Sequence, residues 1–386
     1  MKIVAITGTR ADYGILRPLL LELEKDAAFS LQLVATGMHL VGEYGNTVDL
    51  IRRDRFSIIA TPSILLKGDS LYAMSQSVGM GIVYFSDIFH YHKPDVLLLL
   101  GDRGEMLAAA VAAHYQNIRI VHLHGGEISG SADDGVRHAV SKLAHLHFVS
   151  TLQAQKNLIA LGEEEWRIVP VGTLRKREME SIMRLPKKDR QNLIRKYQLS
   201  SMGKKMILLG MHPDSKDPLS FENQIGVVLE AVRELGDVKI MMIGPNSDAG
   251  GDLFRDRMLS FAAQRSHCCY FSSVPADEYL FLLSQVDLMI GNSSSGIIEA
   301  PFFRLPFLNV GGRQEGRDQG DNVVNVPYQE DAIREATRRI LLEGKKKECQ
   351  NPYDLFEFPE LETVMQLKSL IHRSDLLAKR LVTKYG

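Results

Sequence analysis

The stretch KIVAITGTRADYGILRPLLLELEKD, residues 2–26, decides the fold class. It opens on a short apolar run, KIVAITG (2–8), turns through polar residues, and resumes as ILRPLLLELEKD (15–26). In that second half Ile15, Leu16, Leu19, Leu20 and Leu23 mark one helical face. A run of that length suits a strand buried on both faces, and the 3.6-residue spacing suits a helix lying over it. The theme repeats outward in LQLVATG (31–37), DVLLLLGD (95–102), IRIVHLHGG (118–126) and LHFVST (146–151). After the charged, helix-like LPKKDRQNLIRKYQLS (185–200), a second series follows: KMILLGMHP (205–213), VKIMMIGPN (238–246), VDLMIGNSS (286–294) and LPFLNVGG (305–312). Apolar runs alternating with helical stretches predict an α/β architecture of parallel, doubly wound sheets. Two Rossmann-type domains are expected, at 1–175 and 176–362, with a helical segment 363–386 packing back on the first.

The 386 residues carry 46 basic and 47 acidic side chains. That balance leaves no electrostatic footprint for nucleic acid or an anionic membrane. No apolar run approaches the ~20 residues of a membrane span, and MKIVAITGTR is too short for a secretory core, so a cytoplasmic protein is expected. Cys268, Cys269 and Cys349 match neither a disulfide framework nor a zinc spacing and read as reduced packing residues.

Ligands of open α/β sheets bind beyond the carboxyl ends of the strands, and two facing domains would line one cleft with them. The chemistry is therefore expected at residues 7–10, 102–103, 122–127, 212, 245–246, 292–296 and 311–317. GNSSSGIIEA (291–300) puts backbone N–H groups and hydroxyls where a phosphate could meet a helix N-terminus, with plain helix capping as the alternative. It is neither a Walker A loop nor a nucleophile elbow, and GTRADYG (8–14) lacks the dinucleotide fingerprint, which disfavours NAD. Arg10, Arg103, Arg313 and Arg317 all follow apolar runs, in turns where guanidinium forks match a diphosphate. Glu299 could accept ribose hydroxyls. His122 and His124 stand as alternate residues at a strand end and are expected to point to opposite faces, so that only one of them faces the cleft. A metal site would need one of them with Glu127, Asp133 or His138, in no recognised ligand spacing, so none is expected. Asp133 or Asp134 could cap the helical run GVRHAVSKLAH.

Taken together, GTRADYG, GDR, H-x-x-GGE-x-SG-x-x-DD-x-x-RH-x-x-x-K, HP, PN-x-DAG and GNSS-x-G-x-x-E-x-P resemble the hydrolysing UDP-N-acetylglucosamine 2-epimerases of sialic acid biosynthesis, from Lys2 to about Val326. The resemblance implies a GT-B-like fold, no required cofactor, and conversion of UDP-GlcNAc and water into N-acetylmannosamine and UDP. It implies a homodimer or homotetramer, with dimerisation through the first domain. It assigns UDP-sugar contacts to Arg10, Arg103, Glu127, Arg137, His212, Asn246, Asp248, Ser293, Ser294, Gly296, Glu299, Arg313 and Arg317. Asp102 and Asp133 become the catalytic carboxylates, with His212 beside the departing diphosphate. One departure stands out: HLHGGE (122–127) replaces the family's HIEGGE, so a catalytic glutamate is His124 here. Family members acting on UDP-2,4-diacetamido-2,4,6-trideoxyglucose, in legionaminic acid synthesis, make that sugar the alternative substrate. A non-hydrolysing epimerase, a GT-B glycosyltransferase and a non-catalytic UDP-sugar-binding module are the more distant readings.

Overall fold

The computed structural model describes residues 1–42, 45–66, 70–130, 133–199, 205–236, 238–245, 249–380 and 382. The chain forms two compact units. The first comprises Met1–Ile128, Ala132–Lys176 and Pro352–Gly386, and the second Ser129–Ser131 and Arg177–Asn351.

The first unit holds a seven-stranded sheet: β1 Lys2–Thr7, β2 Ser30–Ala35, β3 Ile58–Ala60, β4 Val96–Leu100, β5 Arg119–Leu123, β6 Leu146–Val149 and β7 Ile168–Pro170. Their order is β3-β2-β1-β4-β5-β6-β7, with every pairing parallel. The second unit's sheet comprises β8 Lys205–Gly210, β9 Val238–Ile243, β10 Cys268–Phe271, β11 Leu288–Gly291, β12 Phe307–Val310 and β13 Val323–Val326. It is also all parallel, in the order β10-β9-β8-β11-β12-β13. Both orders reverse beside the first strand of the unit, and such a switch point opens a crevice at the carboxyl ends.

Burial on both faces explains the apolar runs. In β1, Ile3 and Ala5 join the core on one side of the sheet while Val4 and Ile6 join the other. Helix Arg10–Lys25 buries Leu16, Leu19, Leu20 and Leu23 against the first of these. Its start is a capping box: the Thr9 hydroxyl accepts from Asp12 N–H while the Asp12 carboxylate accepts from Thr9 N–H.

The last helix, Pro359–Leu370, packs on helix Arg10–Lys25, with Val364 and Leu367 in the first unit's core. Return to that unit begins at Pro352, earlier than the 363 expected from sequence. The cause is Tyr353, fully buried, whose carbonyl accepts from Thr173 N–H at 3.0 Å. No described helix is long and apolar enough to cross a membrane.

Candidate active site

At the carboxyl end of β1 the capping residue Asp12 is buried, and its two oxygens accept from Gly8 N–H at 2.9 Å, Thr9 N–H at 2.7 Å and Thr9 Oγ1 at 2.7 Å. This fixes the turn that starts the helix at Arg10, which is only partly exposed. Beside it, buried His39 bridges Thr7 Oγ1 at 2.9 Å and Thr47 Oγ1 at 2.8 Å. Desolvation lowers the His39 pKa against the pull of Asp12. Arg103 caps helix Gly104–Tyr115, and its Nε lies 3.6 Å from Glu105 Oε2.

Asp102 follows β4 and is ion-paired to Arg137 of helix Asp133–Leu143. Arg137 is 1% exposed, pairs also with Asp134, and donates to the Glu127 carbonyl at 3.0 Å. Burial alone would lower its pKa, but the charges of Asp102 and Asp134 raise it above the guanidinium norm. The Glu127 carboxylate, itself buried, accepts from Ser150 Oγ at 2.5 Å and lies 3.6 Å from His124 Nδ1.

Two local expectations need correction. Residues two apart on a strand share a face, as Ile3 and Ala5 do in β1, so strand geometry does not set His122 against His124. Strand β5 moreover ends at Leu123. His124 sits beyond it with φ +59°, a left-handed backbone that a non-glycine residue rarely adopts, and its N–H donates to Phe148 O at 2.9 Å. His122 stays within the sheet, fully buried. Nor does either aspartate cap the next helix. Both Asp133 and Asp134 lie in its first turn, where a carboxylate favours the dipole instead.

In the second unit the site is organised around one side-chain amide, with hydroxyls and two arginines about it. Asn292, after β11, clasps the backbone of His212, after β8: its Oδ1 accepts from His212 N–H at 2.8 Å and its Nδ2 donates to His212 O at 2.7 Å. This clasp spans the switch point of the second sheet. The Asn292 carbonyl accepts from Arg313 Nη1 at 3.1 Å and Gln314 Nε2 at 3.0 Å, and Arg317 Nε donates to Gln314 Oε1 at 2.6 Å. Close approach makes glycine obligatory at two points. A Cβ on Gly291, which has φ +144°, would fall 1.9 Å from Gly210 O, and one on Gly296 would strike the Phe307 ring at 2.4 Å. The helix after the serines is only the four residues Ser295–Ile298, and the Gly296 and Ile297 amides bond to Ser293 O and Ser294 O. Ser293 and Ser294 remain partly exposed, Ser293 Oγ lies 3.0 Å from Ser295 Oγ, and Glu299 is buried just past the helix.

The sequence reading thus meets two clusters: Asp102, His124, Glu127, Asp133 and Arg137 on the carboxyl ends of β4 and β5 or the helix that follows, and His212, Ser293, Ser294, Gly296, Glu299, Arg313 and Arg317 around Asn292. Asn246 and Asp248 lie outside the described residues. Asn292 and Gln314 were given no role from sequence, although Asn292 stands in the strand-end position that flagged the motif. Among the described residues, no group of three or more His, Cys, Asp or Glu side chains could hold a metal ion.

Comparison with known proteins shows the family and the fold. The family model described as UDP-N-acetylglucosamine 2-epimerase matches residues 21–356. The chain is 40% identical over 346 residues to the UDP-N,N'-diacetylbacillosamine 2-epimerase (hydrolyzing) of Legionella pneumophila, spanning 90% of each chain. It is 36% identical over 326 residues to the GDP/UDP-N,N'-diacetylbacillosamine 2-epimerase (hydrolyzing) of Campylobacter jejuni, spanning 84% of each. The fold is shared with the crystal structure of UDP-GlcNAc 2-epimerase from Neisseria meningitidis bound to UDP-GlcNAc, at TM-score 0.80 and 17% identity, over 95% of this chain and 100% of that one. By sequence and by fold, the chain belongs to the UDP-N-acetylglucosamine 2-epimerase family.

Proposed function

We propose that the chain is a hydrolysing UDP-sugar 2-epimerase, turning a UDP-linked 2-acetamido sugar and water into UDP and the free 2-epimer. The carrying observation is the buried Arg137, which sets Asp102 at the end of β4 and anchors the Glu127 backbone near His124. The C2 proton of such a sugar has no adjacent carbonyl to acidify it, so its removal is coupled to loss of UDP from C1. The C1–O electron pair leaves with UDP, the C2 proton passes to a base, and C1=C2 forms. Water then adds hydroxyl to C1 and a proton to C2 from the opposite face. Asp102, Asp133 and His124 are the groups for these transfers, while Arg10, His212 and Arg313 suit the departing diphosphate. The reaction balances without an oxidant or reductant, and no cofactor is invoked.

The names of the relatives at 40% and 36% identity favour UDP-2,4-diacetamido-2,4,6-trideoxyglucose over UDP-GlcNAc as the sugar. Proton NMR in D₂O with each sugar tests the reading. Free UDP and a 2-epimer deuterated at C2 support it, and the faster sugar is the substrate. A UDP-linked product would mean a non-hydrolysing epimerase. Inertness towards both would sink the reading in favour of a binding module or a transferase.

We also propose that the protein self-associates through helix Leu71–His92. That helix leaves Tyr72, Val83, Tyr84 and Tyr91 exposed, and Tyr91 is 80% exposed. An apolar patch of this kind marks an interface. Light scattering should report a dimer or tetramer, and Val83→Glu should shift it towards monomer.

A further inference from the structure

His122 lies outside the group of residues that carry the proposed reaction, yet it is among the most confined side chains in the first unit. It is 0% exposed, within β5, and both ring nitrogens are engaged. Nε2 lies 2.8 Å from Gly101 O and Nδ1 lies 3.0 Å from Ser141 Oγ. A carbonyl can only accept, so Nε2 carries the proton and Nδ1 accepts from the serine hydroxyl. The tautomer is thereby fixed. Burial pushes the pKa down to about 3, so the ring stays neutral across the working range.

The two partners of His122 lead to the same place. Gly101 immediately precedes Asp102, and its φ of +76° is a backbone setting that favours glycine. A Cβ there would meet nothing within 4 Å, so conformation and not space demands the glycine. Ser141 lies one turn beyond Arg137 on helix Asp133–Leu143, on the same face, and Arg137 is the ion-pair partner of Asp102. The contacts therefore close a ring: Gly101 carbonyl, His122, Ser141, one helical turn, Arg137, Asp102, and back to Gly101. Gly125 covers the ring, since a Cβ at that position would fall 2.8 Å from both His122 Nδ1 and Ser141 Oγ.

We infer that His122 and Ser141 are positioning residues, a neutral brace that fixes the spacing between the end of β4 and the Arg137 helix and so aims the Asp102 carboxylate. Without the brace, Asp102 and Arg137 could still pair, but the strand end and the helix would be free to shift together. The inference rests on the reading that Asp102 acts on the sugar. A carboxylate misplaced by about 1 Å loses rate in a way that ground-state binding does not reveal.

His122→Leu removes both hydrogen bonds. Its kcat should fall about 10- to 100-fold with KM within about twofold. His122→Gln, whose amide can still donate to Gly101 O, should recover most of that loss. Should the leucine variant not fold, Ser141→Ala opens the ring from the other side and should show the same split between kcat and KM. Unchanged kcat in the leucine and alanine variants, or a glutamine variant as slow as the leucine one, overturns the proposal. The brace can also be read without turnover. In the wild type, ¹⁵N NMR should show the His122 ring, told from the similarly neutral His145 by the loss of its signals in His122→Gln, with Nδ1 bare and Nε2 protonated from about pH 5 to 9, and Ser141→Ala should speed exchange of the Arg137 guanidinium protons. A His122 signal titrating near its unperturbed pKa of ~6.5, or unchanged Arg137 exchange, overturns the proposal even if the wild type proves inert on UDP-sugars. Inertness with these signatures intact would overturn only the reading of the site.

Discussion

The two units repeat one strand order around one kind of switch point, yet they fill it with opposite chemistry. In the first, the carboxyl ends carry a buried guanidinium, the carboxylates paired to it and a histidine in a left-handed backbone. In the second, the same position is an asparagine clasping the backbone of His212 and receiving two side-chain donors on its carbonyl. A parallel sheet fixes where a site can lie but not what it does. Charge that must move during a reaction calls for groups able to exchange protons, whereas a charge that must only be held can be met by amide and guanidinium donors in a rigid frame.

The largest difference between the units should appear when each anchor is cut. Arg137→Met leaves Asp102 and Asp134 without their shared partner and should cost about 3–5 kcal/mol of stability, read by urea denaturation, with turnover abolished. Asn292→Ala should cost about 1–3 kcal/mol by the same measurement. If the second cost equals the first, the contrast between an ion-paired anchor and an amide anchor has no energetic content.

The next effect isolates the imidazole of His124 from its backbone. Asparagine tolerates a φ of +59° better than most residues, so His124→Asn should fold like the wild type. Its kcat should nevertheless fall about 100-fold, the usual contribution of a positioned acid or base. Turnover within a few fold of wild type would remove His124 from the chemistry and leave the carboxylates to act alone. In the second unit the matching experiment is affinity. Asn292→Ala should weaken UDP binding about tenfold in isothermal titration, because the His212 backbone and Arg313 lose a common anchor. Unaltered affinity would mean that the clasp holds the sheet and not the nucleotide.

Much of this was legible in the sequence for a simple reason. A parallel sheet covered on both faces demands uninterrupted apolar runs, and the residues that stop each run are the ones the sheet presents to a ligand. Asp102, His212 and the 292–296 turn were found that way. What failed was finer than a run. Opposite faces for His122 and His124 conflict with the pleat itself, which puts residues two apart on one face, and the chain in any case leaves the strand at Leu123 and turns left-handed. The clasp of Asn292 on His212 joins residues 80 apart in sequence, and the ring through His122 joins residues from one strand end, the next strand and a helix. Side-chain hydrogen bonds between separate elements leave no periodic trace.

The smallest expected effect concerns acid. His39, His122, His145 and His147 all belong to the first unit, and burial lowers the pKa of each, to about 3 for His122 and about 4 for His145. In the unfolded chain each would titrate near 6.5. Between those values the unfolded state binds more protons than the folded one, so stability is present above about pH 6.5 and drains away as pH falls towards 4. Glu163 works in a lower window. Burial would raise its pKa, but the hydrogen bond with His147 and the charge of Lys379 hold it at about 2, so its contribution is lost only below about pH 4.3. Hydrogen exchange at pH 7 and pH 5, corrected for intrinsic rates, should therefore show protection falling in β5 and β6 before it falls in β8 and β11. The reverse order would mean that the buried histidines do not limit the first unit, and that the two units differ in their ligand chemistry but not in what holds them folded.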